Sequence, residues 1–159
     1  MRRPLAPVAA AALLALNLGA CTPSTIPGTP IADTKDNRAV LDVLSQYQAA
    51  FQALDADGML QLASPHYFDK SFMDRGRNPV DYAHLQKTLT DKFGRLKAIK
   101  LEVTVKGLQI KGDLAQVDFF MVMHFSVGET QGEKWFSESD DERMQLAREG
   151  GTWKVVAGM

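Results

Sequence analysis

The chain has 159 residues, with 18 Lys+Arg against 19 Asp+Glu, 45% hydrophobic residues and a single cysteine. That length suits one domain able to bury a core without disulfide or metal staples. The near-neutral balance excludes the basic footprint of a nucleic-acid binder, and one cysteine excludes a disulfide framework or a multi-cysteine zinc site.

The first 20 residues differ from the rest. Arg2 and Arg3 precede an apolar stretch, Val8 to Leu18, broken only by Asn17. A charged segment followed by a short apolar run has the form of a signal peptide, and the run falls short of the about 20 residues needed to cross a bilayer. It ends in Leu18-Gly19-Ala20-Cys21, which resembles the bacterial lipobox. The resemblance implies cleavage of residues 1–20 and a diacylglycerol on the Cys21 sulfur. More than one acyl chain, palmitate among them, implies stable anchoring. The other reading is an ordinary secretory signal that leaves Cys21 a free thiol. Thr22 stands where an Asp retains many Gram-negative lipoproteins in the inner membrane, so the expectation is a periplasm-facing envelope protein, at the outer rather than the inner membrane. Without Arg2 and Arg3 the balance is 16 basic against 19 acidic groups, a net of −3.

Residues 21–35 carry Cys21, Pro23, Pro27, Gly28 and Pro30 and little that could fill a core. At about 3.1 Å per residue, a proline-rich tether of this length reaches roughly 40 Å. The folded domain is expected over 36–159.

Asp36 or Asn37 suits a helix cap, and Val40, Leu44, Tyr47, Phe51 and Leu54 follow at helical spacing. Asp55-Ala56-Asp57-Gly58 breaks that helix, and Asp57 suits the cap of a second, ended by Pro65. The oxygen ligands of a calcium loop are missing, with His66 where its last Glu would stand. Residues 66–78 show no period. Asn78 and Pro79 suit the start of a third helix, carried by Val80, Tyr82, Leu85, Leu89, Phe93 and Leu96 and closed by Gly94.

From Leu101 the period becomes two. Gly107 suggests a bulge, and Lys111-Gly112-Asp113 a hairpin turn. Leu114 to Val127 then sets Ala115, Val117, Phe119, Met121, Met123 and Phe125 on one face against Gln116, Asp118, Phe120, Val122 and His124 on the other. Lys134 to Arg148 is a polar strand, 149–152 a turn, and Trp153 to Met159 the last strand. Helices segregated before hairpin-linked strands predict an α+β fold: three N-terminal helices packed on a curved antiparallel sheet of about four strands.

Three stretches carry a family resemblance: Tyr47-Gln48-Ala49-Ala50-Phe51-Gln52-Ala53-Leu54-Asp55-Ala56-Asp57, Leu62-Ala63-Ser64-Pro65-His66-Tyr67-Phe68, and the tail Arg143 to Val156 with Gly151-Thr152-Trp153-Lys154. With the element order, they make the domain similar to the NTF2-like superfamily. That is the cone shared by nuclear transport factor 2, ketosteroid isomerase, scytalone dehydratase and SnoaL-type cyclases. The fold hosts enzymes and non-catalytic proteins alike, so it does not assign an activity.

The resemblance places a ligand between helices and sheet, with Tyr47, Phe51, Tyr67, Phe68, Phe93, Phe119, Met121, Met123, Phe125 and Trp135 as candidate walls. The same stripe would also simply fill a core. An acid–base enzyme of this shape needs a carboxylate or histidine inside the cavity. The candidates are His66, Asp69, Asp118 and His124, although Asp118 and His124 stand about 20 Å apart along one strand. His84 falls off the apolar stripe of its helix. No Ser-His-Asp pattern, H-E-x-x-H motif, phosphate loop or C-x-x-C is present. The acids of 129–142 read as a solvated strand edge, where charge discourages aggregation.

The expectation is therefore a lipid-anchored, non-catalytic binding or assembly module for a small apolar ligand or an envelope protein. A SnoaL- or ketosteroid-isomerase-like proton-transfer enzyme is the alternative, and the resemblance also allows a homodimer through the sheet. Neither cofactor, metal nor nucleic-acid partner is expected.

Overall fold

The computed structural model describes residues 24–71, 73, 78–130 and 132–159. The signal segment, Cys21 and Thr22 lie outside the described residues. The elements are α1 (Lys35–Gln52), α2 (Ala56–Leu62), β1 (Phe68–Asp69), β2 (Val80–Asp81), α3 (Tyr82–Phe93), β3 (Leu96–Lys111), β4 (Leu114–Glu129), β5 (Gly132–Glu149) and β6 (Thr152–Ala157). Three helices thus pack on a four-stranded antiparallel sheet ordered β3-β4-β5-β6, as the sequence predicts.

Each helix starts at a different cap from the predicted one, for a local reason. Thr34 caps α1 by accepting the Asn37 N–H at 3.1 Å, while the Asn37 amide donates to Ala32 O at 2.8 Å. Asp55, not Asp57, caps α2 through the Gly58 N–H at 2.9 Å. Asp81 caps α3 through the His84 N–H at 2.8 Å. Asn78 and Pro79 precede that helix because Val80–Asp81 first pairs with Phe68–Asp69. Within the stretch read as an extended tether, 24–33 doubles back instead. Ile26 N–H donates to Ile31 O and Asp33 N–H to Ser24 O, at 2.8 and 2.7 Å, and Ile31 is buried.

The helical stripe is buried as its spacing predicts: Val40, Leu44, Tyr47 and Phe51, joined by Val43. Gln48 and Gln52, off that stripe, serve the sheet. The Gln48 amide donates to Leu101 O at 2.7 Å, and Gln52 Oε1 accepts the Leu101 N–H at 3.2 Å. These bonds satisfy main-chain groups on the outer side of β3, which would otherwise be a bare strand edge.

Gly107 marks the predicted bulge, where the β3–β4 register shifts. Gly150 and Gly151, at φ +56° and +84°, make the two-residue turn between β5 and β6. Two consecutive positive φ angles match the twist of a tight hairpin and favour glycine at both positions. Since β6 pairs only with Gln145–Glu149, 132–144 of β5 has no strand beyond it among the described residues. That stretch of acidic strand is a sheet edge.

Ala115, Val117, Phe119 and Met123 of β4 are buried under the helices, with Met144, Leu146, Trp153 and Val155 continuing the core across β5 and β6. The α2 exit is fastened to β6 by Ser64, whose N–H donates to Val155 O at 2.8 Å.

Candidate functional site: a cavity between helices and sheet

A cavity of about 380 Å³ opens between the helices and the helix-facing side of the sheet. Its apolar part is built from Tyr47 and Phe51 on α1 and Phe119, Met121 and Met123 on β4. The helical period brings Tyr47 and Phe51 to one face, and the strand period brings the three β4 residues to the other. The Tyr47 ring stands edge-on to Phe119 at 6.5 Å between centroids, and Phe51 edge-on to Phe93 at 5.2 Å.

The facing strand contributes charge. Register pairs Phe119 with Glu142, Met121 with Asp140 and Met123 with Glu138. Alternation therefore turns these carboxylate-bearing positions to the helix-facing side, and Asp140 and Glu142 line the cavity. Arg143 pairs instead with Asp118 at 2.7 Å, and Asp141 with Lys106. Lys92 stands on another wall, its ammonium 5.6 Å from the Phe51 ring centroid.

Asp69 also lines the cavity and is only 3% exposed. Its Oδ1 accepts the Ser71 N–H at 2.8 Å, and its Oδ2 accepts the Gly158 N–H at 3.0 Å and the Tyr67 hydroxyl at 3.4 Å. The Tyr67 oxygen in turn accepts the Met159 N–H at 3.1 Å. Burial pushes the Tyr67 hydroxyl well above the usual tyrosine range. Tyr47 is pushed up similarly, by burial first and then by the Glu142 charge. Both stay neutral hydrogen-bonding groups at ordinary pH.

The four acid–base candidates separate. Only Asp69 lines the cavity. His66 is exposed in the turn after α2, its N–H donating to Ser64 Oγ at 2.9 Å. Asp118 and His124 fall on the outer face, because Phe119 and Phe125 beside them turn inward. There Arg143 holds the Asp118 carboxyl below its ordinary value, and His124 stands opposite Lys100.

Of the candidate walls, Tyr47, Phe51, Phe119, Met121 and Met123 line the cavity. Tyr67 and Phe93 are buried outside the lining. Phe125 stacks on Phe136 at 5.4 Å. Phe68 and Trp135 are 46% and 59% exposed. The two-residue period sends Trp135 to the face opposite Phe136, so it is no wall of this cavity. Asp140, Glu142 and Lys92 are lining residues that sequence reasoning missed. For the two acids a signal existed: counting back by twos from buried Leu146 and Met144 reaches Glu142 and Asp140. Among the described residues, no group of three or more His, Cys, Asp or Glu is placed to hold a metal ion.

No protein-family model matches the chain. No curated protein matches it either. Solved structures do. A candidate dehydratase from the NTF2-like family of Streptomyces avermitilis is similar at 12% identity and TM-score 0.63, covering 77% of this chain and 93% of that one. A ketosteroid isomerase-like protein from Erwinia carotovora atroseptica is similar at 14% identity and TM-score 0.62, covering 79% and 95%. A conserved protein from Planctomyces limnophilus is similar at 14% identity and TM-score 0.66, covering 77% and 92%. Identities this low speak for shape and not for chemistry. The α+β architecture and these neighbours agree: the chain has the NTF2-like fold.

Proposed function

We propose that this is a lipid-anchored envelope protein whose NTF2-like domain binds a small, largely apolar ligand without transforming it. The observation that carries the reading is the division of labour in the cavity. Apolar side chains form its floor, while its one deeply buried carboxylate, Asp69, is turned to main-chain donors. Pockets of about 300–1,000 Å³ with apolar walls and few polar groups are the usual form of small-ligand sites. Ser71, Gly158 and Tyr67 occupy both Asp69 oxygens, so this carboxylate serves the fold before it serves a ligand.

The anchor rests on Leu18-Gly19-Ala20-Cys21 behind an apolar run. Expressed in a Gram-negative bacterium, the native chain should fractionate with membranes and Cys21→Ala should not. Retention of Cys21→Ala in the membrane fraction would overturn the anchor. For the cavity, native mass spectrometry of the purified chain should reveal a non-covalent small-molecule adduct that Met121→Trp, which fills the space, abolishes. An adduct retained by Met121→Trp would place binding elsewhere.

A proton-transfer enzyme is the second reading, favoured by the neutral Tyr47 hydroxyl beside Glu142 in the cavity. A neutral phenol could donate to a developing oxyanion while a carboxylate accepts the proton. Its test is deuterium uptake by enolisable ketones in D2O, lost in both Tyr47→Phe and Glu142→Gln.

A further inference from the structure

We propose that the cavity selects an organic cation, specifically an ammonium group carried on a short apolar body; this rests on the ligand-binding reading above and names the ligand class. The two halves of the cavity call for the two halves of such a molecule. Phe51, Phe119, Met121 and Met123 supply apolar and aromatic surface, and Asp140 supplies negative charge from the facing strand. The β4–β5 register sets Asp140 directly beside Met121, so charge and apolar surface are adjacent on one wall.

The neighbouring charges sharpen the choice. Arg143 and Asp141 also border the cavity, but Arg143 is committed to Asp118 and Asp141 to Lys106. Asp140 accepts only the Asp141 main-chain N–H, at 2.8 Å, and forms no ion pair among the described residues. Glu142 adds negative charge close enough to act on Tyr47. Lys92 and Arg143 are the cations in the lining; Arg143 is held by Asp118, and the Lys92 ammonium lies against the Phe51 ring. That contact shows that an aromatic wall of this cavity already accepts an ammonium group. A cation over an aromatic face is attracted by the ring quadrupole, more strongly as water is excluded. A carboxylate ligand would instead meet Asp140 and Glu142 with like charge.

The test is calorimetric titration of the full chain carrying Cys21→Ala with three probes of one chain length: hexyltrimethylammonium, hexanol and hexanoate. The ammonium should bind about tenfold more tightly than hexanol, as a cation–π contact plus one partly exposed charge pair suggests. Hexanoate should bind most weakly. Asp140→Asn should remove most of the ammonium preference and leave hexanol binding unchanged. Equal binding of hexanol and the ammonium, or a preference that survives Asp140→Asn, would overturn the cation assignment while leaving apolar binding intact. Failure of all three probes to bind would overturn the ligand-binding reading itself.

Discussion

The Asp69 carboxylate accepts the Gly158 main-chain N–H at 3.0 Å, joining residues 89 positions apart. This bond fastens the C-terminal residues into the cavity lining. Gly158 is suited to it twice over. Its φ is +86°, and a Cβ there would lie 2.0 Å from Arg143 O and 3.0 Å from Met144 Cα. Main-chain atoms cannot swing aside as a flexible side chain would, so only glycine fits. Gly158→Ala should lower stability by about 2 kcal/mol or more, combining backbone strain with displacement of the terminus. Asp69→Ala leaves the Ser71 and Gly158 N–H groups and the buried Tyr67 hydroxyl without their acceptor and should cost about 2–4 kcal/mol. Urea unfolding of each variant measures both, and a wild-type midpoint in either would refute the clasp.

Phe119 is 1% exposed and touches the Tyr47 ring from beneath. Phe119→Ala should destabilise the domain by about 3–5 kcal/mol, by lost transfer free energy and an enlarged cavity. A smaller loss, measured by the same unfolding experiment, would mean that helices and sheet close over the space.

Ser64 is fully buried, donates to Glu149 Oε1 at 2.7 Å and accepts the His66 N–H at 2.9 Å. Removing the hydroxyl in Ser64→Ala leaves the His66 N–H and Glu149 without it, at a cost of about 1–3 kcal/mol. Ser64→Thr, which keeps an oxygen, separates the hydrogen bonds from packing: thermal unfolding should show a smaller loss if the bonds matter.

Two kinds of ionisation, of tyrosine and of aspartate, give opposite pH dependences. Tyr47 and Tyr67 are raised by burial, so their contribution is complete below the unfolded value of about 10 and falls as pH rises towards the folded values. Tyrosinate absorbance should therefore lag for these two side chains until the domain unfolds in alkali, and Tyr47→Phe should reduce the alkaline loss of stability. Asp118 is lowered, chiefly by its hydrogen bond from Arg143. Its contribution is present above the unfolded value of about 3.9 and is lost as pH falls through the folded value. The pair is largely solvent-exposed, so the effect should stay below about 1 kcal/mol. Asp118→Asn should flatten the acid limb of stability only slightly; a large change would contradict the screening.

Much of the fold was legible because its signals are local. Val40, Leu44, Tyr47 and Phe51 repeat at helical spacing, and Ala115 to Met123 at strand spacing, and both stripes are the ones buried. Gly107 marks a bulge, and Gly150-Gly151 a turn through the positive φ that glycine allows. The helix starts were less legible. Asp55 competes with Asp57, and Asp81 with Asn78, for the same kind of role, and neighbouring hydrogen bonds decide between them.

The site was less legible still. His66, Asp69, Asp118 and His124 were equivalent in the sequence, but only Asp69 lines the cavity, where it meets Gly158, 89 positions along the chain and just beyond β6. The acids of β5 read as an exposed edge, which 132–144 is; yet the β4–β5 register also turns Asp140 and Glu142 towards Met121 and Phe119. Sequence alone thus determined the α+β order and the apolar stripes, since periodicity needs no distant partner. Tertiary structure alone decided which polar groups meet those stripes around one cavity, because strand register and chain closure depend on residues far apart in the chain.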